Sequence, residues 1–82
     1  MEYQVEFKPK ALKDLDSVHS DMAQRIVEKI SRLQNDLEGD VKRLTNFTPE
    51  YRLRVGDYRV LFEVADVRII VYRVLHRREV YR

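Results

Sequence analysis

The C-terminal segment 76–82 concentrates groups that could act on RNA. It holds three guanidinium groups, the imidazole of His76 and the phenol of Tyr81 within seven residues. RNA cleavage by the 2′-OH needs a base for that hydroxyl, positive charge for the phosphorane, and an acid for the leaving 5′-oxygen. Arginine keeps its proton in proteins, so His76, Tyr81 and carboxylates are the plausible proton-transfer groups in this segment. Nearby cations favour a phenolate, and the ring could also stack on a base. A histidine or tyrosine near a chain end is, however, more often an ordinary surface residue.

A second set of cations lies on a predicted β-hairpin. Apolar and arginine residues alternate over 51–55, and Gly56-Asp57 is typical of a two-residue type II′ turn. With these two residues as the loop, Arg54 lies opposite Arg59, and Arg52 lies opposite Leu61. Side chains directly opposite each other share a face of the sheet. We therefore predict one face carrying Arg52, Arg54 and Arg59, called the arginine face below. The other face would carry the core residues Tyr51, Leu53, Val55, Tyr58, Val60 and Phe62.

The arginine face has two interpretations. Like charges directly opposite on paired strands are destabilising, whereas a guanidinium suits bidentate contact with phosphate oxygens. A phosphate-binding surface is the first interpretation. In the second, each arginine lies over the sheet and contacts a carboxylate such as Glu63 or Asp57. The register of the following strand is also open. A three-residue loop at 65–67 places Arg73 and Leu75 on the arginine face, whereas a two-residue loop at 65–66 places Arg68, Ile70 and Tyr72 there.

The distribution of charge supports an anionic partner. The net charge is only +2, but residues 1–41 hold six Lys/Arg and nine Asp/Glu, whereas residues 42–82 hold ten and five. The second half alone is basic, as expected of a protein that binds a polyanion. A solvated, locally basic surface is the alternative.

The elements that position these residues follow from periodicity. Strict alternation over 2–7 predicts a half-buried strand. Pro9 suits the first position of a short helix over about 9–17. A second helix is predicted near 20–38, capped by Ser20 or Ser17 and ended by Gly39. One apolar stripe runs along it, formed by Met22, Ile26, Ile30, Leu33 and Leu37.

After a predicted loop over 39–50 the pattern changes to that of strands. Strands are predicted over 51–55, 58–64 and 69–75, the last nearly continuous in apolar residues and therefore central. The prediction is an α+β fold in one domain, 1–82. It has an N-terminal strand, a helical hairpin and a three-stranded antiparallel meander (β-α-α-β-β-β), with the helices packed on one sheet face.

Composition excludes several other classes. There is no cysteine and no run of roughly 18 apolar residues, and the N-terminus lacks a signal peptide's basic start and apolar run. We therefore expect a cytoplasmic protein with no membrane contact. No glycine-rich phosphate loop occurs, and His19 and His76 are too far apart in sequence to suggest a metal site.

Four segments together resemble the RelE/ParE toxin superfamily over nearly the whole chain. They are Tyr3-x-Val5-x-Phe7, Ala11-Leu12-Lys13-x-Leu15, the block from Tyr51 to Val60, and His76-Arg77-Arg78-Glu79-Val80-Tyr81. The block Tyr-Arg-x-Arg-x-Gly-x-Tyr-Arg does not separate RelE toxins, which cut mRNA in the ribosomal A site, from ParE toxins, which inhibit DNA gyrase. The His-Arg-Arg-Glu-Val-Tyr ending resembles RelE.

The resemblance implies a type II toxin that cleaves mRNA on the ribosome and inhibits translation. It implies that Arg59 stabilises charge on the scissile phosphate, that Arg77 is the general acid and that Tyr81 is the general base. Arg52, Arg54, His76 and Arg78 would bind phosphate. Arginine replaces the lysine often found at positions 52 and 54, so these two should act through charge alone.

The resemblance also implies the products and the partners. The products are a 2′,3′-cyclic phosphate and a 5′-OH, formed without a metal or other cofactor. The partners are a RelB-like antitoxin, the ribosome with its 16S rRNA, and mRNA. The alternative that remains open is a ParE-like gyrase inhibitor without nuclease activity. A plain RNA-binding module is a further alternative.

Overall fold

A computed structural model of the chain describes residues 1–80, which form a five-stranded sheet with helices on one face. The strand order is β1-β5-β4-β3-β2; β1 runs parallel to β5 and the other neighbours are antiparallel. This confirms the predicted α+β fold. The strands are β1 Gln4–Phe7, β2 Val41–Arg43, β3 Tyr51–Val55, β4 Tyr58–Ala65 and β5 Arg68–His76, and the helices are α1 Pro9–Asp16, α2 Ser20–Arg32 and α3 Arg77–Val80.

The core lies between the two longer helices and one face of the sheet. Ile26, Ile30 and Leu33 pack against the apolar side chains of β3, β4 and β5, as the stripe predicted. Phe62 is fully buried at its centre and stacks on Tyr51 with ring centroids 5.4 Å apart. Apolar burial of this kind is the main favourable contribution to folding. Within residues 1–80, no helix is long and apolar enough to cross a membrane.

Helix α2 differs from its prediction at both ends. His19, and neither Ser20 nor Ser17, is the N-cap; its side chain accepts a hydrogen bond from the Asp21 N–H. The helix ends at Arg32 and does not continue to residue 38. Asp36 and Leu37 have positive φ, so the chain turns before Gly39, which is therefore not the residue that ends the helix. Leu37 still packs on the core, so its place in the predicted apolar stripe reflects its burial and not a continued helix.

The segment predicted as a loop contains an additional strand, β2. Val41, Lys42 and Arg43 pair with Leu53, Arg52 and Tyr51 of β3. Three residues are too few for alternation to be recognised in a sequence. The pairing shields the outer edge of β3 and adds Lys42 to the face that carries Arg52.

A β-bulge settles the register of β5. Near the turn, Ala65 lies opposite Arg68 and Glu63 opposite Ile70, but beyond the shift at Leu61/Phe62 the partners are Leu61 with Arg73 and Arg59 with Leu75. Neither predicted loop is right, because Asp66 and Val67 form the turn. The face assigned by each alternative is nevertheless right for one half of the strand, since one extra residue in β5 reverses the alternation of faces. Arg73 and Leu75 lie on the arginine face.

Asp14 of α1 holds the helix to the exposed edge of β5. Strand β1 ends at Phe7, so the N–H of Val74 has no strand partner on that side, and it donates instead to Asp14 Oδ2 at 2.9 Å. Arg73 donates to the same carboxylate through Nε at 2.8 Å and Nη2 at 3.1 Å. Only 16% of the Asp14 side chain is exposed. The carboxylate thus accepts a hydrogen bond from the edge of β5 beyond the point where β1 ends.

We expect Asp14→Ala to lower the free energy of unfolding by about 1–3 kcal/mol, because it leaves the Val74 N–H and the Arg73 guanidinium without their acceptor. Urea unfolding measures the change. Asp16→Ala is the matched control, since it removes an exposed carboxylate from the same helix. Equal losses in the two variants would contradict this role of Asp14.

The Asp14 carboxylate should also make the free energy of unfolding depend on pH in the acid range. Burial is the largest influence on the pKa of Asp14 and raises it, but the hydrogen bonds from Arg73 and Val74 and the charge of Arg73 together keep it below 3.8. The unfolded chain therefore takes up the proton first, so this stabilisation is complete above about pH 4 and is lost as the pH falls through the folded-state pKa.

Urea midpoints measured from pH 6 down to about pH 3 should fall less steeply for Asp14→Asn than for the unchanged protein. Parallel curves would contradict the assignment.

Candidate nucleic-acid interface

The register of the β3–β4 hairpin brings the predicted arginines together. Arg54 lies opposite Arg59 and Arg52 opposite Leu61, as predicted. Gly56 has φ 57, which the first loop position of a type II′ turn requires. Lys42 lies opposite Arg52, so a row of Lys42, Arg52, Leu61 and Arg73 crosses four strands. The arginine face is thus the sheet surface opposite the helices, and it is cationic over β2, β3 and β4.

Two cations of this face are buried. Arg52 is 8% exposed and Arg59 is 6% exposed, whereas Arg54 is half exposed. Within residues 1–80, neither Arg52 nor Arg59 forms an ion pair with a carboxylate. Burying a charge without a counter-ion is unfavourable, so these guanidiniums do not stabilise the fold by ion pairing. An anion at this face would offset the cost of burying them.

Arg59 is held by its own hairpin. Its Nη1 donates to the carbonyl oxygens of Gly56 at 2.8 Å and Tyr58 at 2.9 Å. Its Nε is buried and has no hydrogen-bond partner within residues 1–80. The two carbonyl contacts fix the plane of the guanidinium, and of the other nitrogens only Nη2 is open to a phosphate, because Nε is covered.

Arg54 has a carboxylate partner that differs from the expected ones. Its Nε donates to Asp40 Oδ2 at 2.7 Å, whereas Glu63 accepts from the Glu50 N–H and Asp57 lies 3.7 Å from the Nε of Arg77. The interpretation that each arginine contacts a carboxylate therefore describes Arg54 and not its two buried neighbours.

The C-terminal segment begins at the same hairpin turn. The backbone N–H of Arg77 donates to the Asp57 carbonyl at 2.7 Å, and its guanidinium lies near the Asp57 carboxylate. Helix α3, which Arg77 begins, packs on β4 and β5. Arg77 thus lies at the end of the hairpin that positions Arg54 and Arg59.

His76 and Arg78 are not on the arginine face. His76 lies opposite Tyr58, whose side chain belongs to the core face, and the two rings meet edge to face with centroids 5.4 Å apart. His76 Nδ1 accepts from the Arg78 N–H at 3.3 Å, and Arg78 is exposed. Tyr81, the predicted base, lies outside the described residues. The structure therefore brings Arg52, Arg54 and Arg59 together, with Arg77 at the turn, and separates His76 from them.

Sequence reasoning missed two residues of this site, Lys42 and Asp40. Both lie in the segment interpreted as a loop, and only the pairing of β2 with β3 brings them next to Arg52 and Arg54. A weak signal was available, since Val41-Lys42 continues the apolar–cationic alternation of β3. Within residues 1–80, no three His, Asp or Glu side chains lie together as a metal ion would require.

Known proteins match this chain both in sequence and in fold. The family described as "ParE toxin of type II toxin-antitoxin system, parDE" matches residues 5–81. Toxin RelE3 of Methanocaldococcus jannaschii is 40% identical over 75 residues, which is 85% of each chain.

Two solved complexes contain chains of the same fold. A chain of the RelB-RelE antitoxin-toxin complex from Methanococcus jannaschii is 37% identical with a TM-score of 0.76, over 92% of this chain and 93% of that one. A chain of the toxin-antitoxin complex RelBE2 from Mycobacterium tuberculosis is 25% identical with a TM-score of 0.80, over 93% and 99%. The family match over almost the full length, together with these identities, shows that the chain belongs to the RelE/ParE family of toxins from type II toxin–antitoxin systems.

Proposed function

We propose that this toxin is a ribosome-dependent endoribonuclease that cleaves mRNA in the A site and so inhibits translation. The observation that carries the proposal is the pair of buried guanidiniums, Arg52 and Arg59, without a carboxylate partner in residues 1–80. Such cations suit a phosphate and destabilise an unoccupied fold. The 40% identity to a relative named RelE supports the choice of RNA over gyrase.

In the proposed reaction Arg59 is the main stabiliser of charge. As the 2′-oxygen attacks phosphorus, negative charge grows on the non-bridging oxygens, and fixed donors lower the energy of that state more than they do in water. Two backbone carbonyls already hold Arg59, so little reorganisation is needed. Arg52 and Arg54 bind the phosphates electrostatically.

Proton transfer is assigned to the C-terminal segment. Tyr81, as phenolate, takes the proton of the 2′-OH; the 2′-oxygen bonds to phosphorus, and the bond from phosphorus to the 5′-oxygen breaks. Arg77 stands in the place of the general acid and stabilises the charge on that oxygen by hydrogen bonding. Because a guanidinium keeps its proton, solvent water protonates the 5′-oxygen, and the hydroxide that this leaves takes the proton from the Tyr81 phenol and restores the phenolate. The products are a 2′,3′-cyclic phosphate and a 5′-OH. His76 and Arg78, off the arginine face, would contact flanking phosphates.

The proposed partners follow from relatives. The two solved complexes described above pair a toxin with an antitoxin, one of them RelB. We propose that a RelB-like antitoxin binds this chain, and that its action on ribosomes places it in the cytoplasm.

The second candidate is inhibition of DNA gyrase without catalysis. The observation that favours it is that the matching family is described as a ParE toxin. A cationic face would then bind gyrase or its DNA, and no residue would transfer a proton.

Primer extension on translated mRNA, after expression of the toxin, tests the first candidate. We expect cuts within A-site codons, and we expect Tyr81→Phe combined with Arg77→Ala to abolish them. Undiminished cutting by that double variant would refute the assigned chemistry. Growth arrest without cuts, together with blocked supercoiling by the purified protein, would establish the gyrase alternative.

A change at Arg59 should separate activity from stability. We expect Arg59→Met to lower the cleavage rate about 10²–10³-fold, as loss of one charge-stabilising donor does. Its free energy of unfolding should change by less than about 1 kcal/mol, because removal of a buried charge that faces Arg54 offsets the loss of the hydrogen bonds to the Gly56 and Tyr58 carbonyls. Cleavage kinetics and urea unfolding measure the two effects.

Arg43→Met is the control, since Arg43 is exposed and pairs with Glu50 away from the arginine face. Should Arg59→Met unfold the protein, the residue is structural and the proposal loses its main support.

A further inference from the structure

Asp40 places a carboxylate among the cations of the arginine face. It immediately precedes β2, and its Oδ2 accepts from Arg54 Nε at 2.7 Å. About half of each side chain is exposed, so both can be reached from solvent. Asp40 is not one of the carboxylates, Glu63 and Asp57, that were expected to contact this face.

The backbone fixes this position independently of the ion pair. The carbonyl of Asp40 accepts from the Arg54 N–H at 3.0 Å. Gly39, just before it, has φ 140, and a Cβ there would lie 2.9 Å from Leu53 Cδ1. The positive φ therefore favours glycine next to Asp40, and any larger residue would also displace the end of the Leu53 side chain. Asp40 is thus held beside Arg54 by β-sheet contacts.

The electrostatics favour the charged form of Asp40. Its hydrogen bond to Arg54 lowers its pKa most, and the charges of Arg54, Arg52 and Arg59 lower it further, against a smaller opposing effect of desolvation. A carboxylate with a lowered pKa is a poor acceptor for the proton of a 2′-OH. Its position near three cations suits a counter-ion better than a base.

We propose that Asp40 is an internal counter-ion that holds Arg54 in the free toxin and is exchanged for an RNA phosphate when RNA binds. The carboxylate and a phosphate offer the same guanidinium the same kind of charged oxygen, so they compete for it. Asp40 therefore weakens binding of the RNA backbone and limits binding to RNA in general. This inference rests on the proposed function, because it takes the arginine face to be the RNA-binding surface.

The test compares Asp40→Asn with the unchanged toxin. Asparagine keeps the shape and the backbone hydrogen bond but removes the charge. The probe is a single-stranded oligonucleotide of 2′-O-methyl RNA, which has no 2′-OH and cannot be cut. Binding is measured by fluorescence anisotropy between about 50 and 200 mM salt, where backbone contacts are strongly salt-dependent.

We expect Asp40→Asn to bind on the order of fivefold more tightly, as removal of one unit charge about 4 Å from a bound phosphate implies. The salt slope should steepen by about 0.7, because Arg54 then gives one full phosphate contact to a single strand. Asp66→Asn is the matched control. It removes the same charge in the β4–β5 turn, roughly 20 Å along β4 from Arg59, and asparagine tolerates its φ of 59.

Repeating the Asp40→Asn substitution in an Arg54→Gln background separates competition for Arg54 from direct repulsion between Asp40 and the phosphate. The gain from Asp40→Asn should largely disappear there. Three results would each contradict the proposed exchange of Asp40 for a phosphate. They are an equal gain in affinity in both backgrounds, an equal gain from Asp66→Asn, and weaker binding by Asp40→Asn.

The control for the proposed function itself is the unchanged toxin. If it does not bind the oligonucleotide even at the lowest salt, the RNA-binding role of the arginine face fails, and the role of Asp40 fails with it. If it binds and Asp40→Asn binds no better, only the inference about Asp40 is wrong.

Discussion

The two-residue turn at Gly56-Asp57 is the constraint on which the site depends. A strand pairing has a side-chain period of two, so a shift of one residue would turn every arginine of β3 towards the helices. The positive φ of Gly56 fixes the register, places Arg54 opposite Arg59 and leaves the apolar set facing the core. The Asp57 carbonyl also accepts from Arg77, so the same turn anchors the start of the C-terminal segment.

The sheet separates stability from binding by face. On the helix side, Phe62, Ile26 and Leu33 are fully buried among apolar neighbours, which favours folding. On the other side, two guanidiniums are buried without a carboxylate in the described residues, which opposes folding. A fold of this size has only a small margin of stability. The buried cations of the arginine face therefore oppose folding, and the apolar core on the opposite side offsets that cost.

At each end of the arginine face, a carboxylate pairs with one of the arginines. Asp14 is the partner of Arg73 and completes the edge of β5, so the cation furthest along the row contributes to the fold. Asp40 is the partner of Arg54 at the opposite end of the sheet. Within the described residues, the cations of this row without a carboxylate partner are then Arg52 and Arg59 at the centre, with Lys42 beside them.

The sequence by itself determined the fold class, the β3–β4 hairpin with its register, and the grouping of Arg52, Arg54 and Arg59. These follow from local rules, because alternation and turn chemistry act between neighbouring residues. The tertiary structure alone decided where α2 ends, that β2 exists, how a bulge shifts β5, and that Asp40 and Lys42 join the site. Such features depend on pairing between segments distant in sequence, where a three-residue strand or one extra residue leaves no periodic signal. Burial of Arg52 and Arg59 was likewise decided by neighbouring strands, since alternation assigns a side chain to a face but does not say how deeply it is covered.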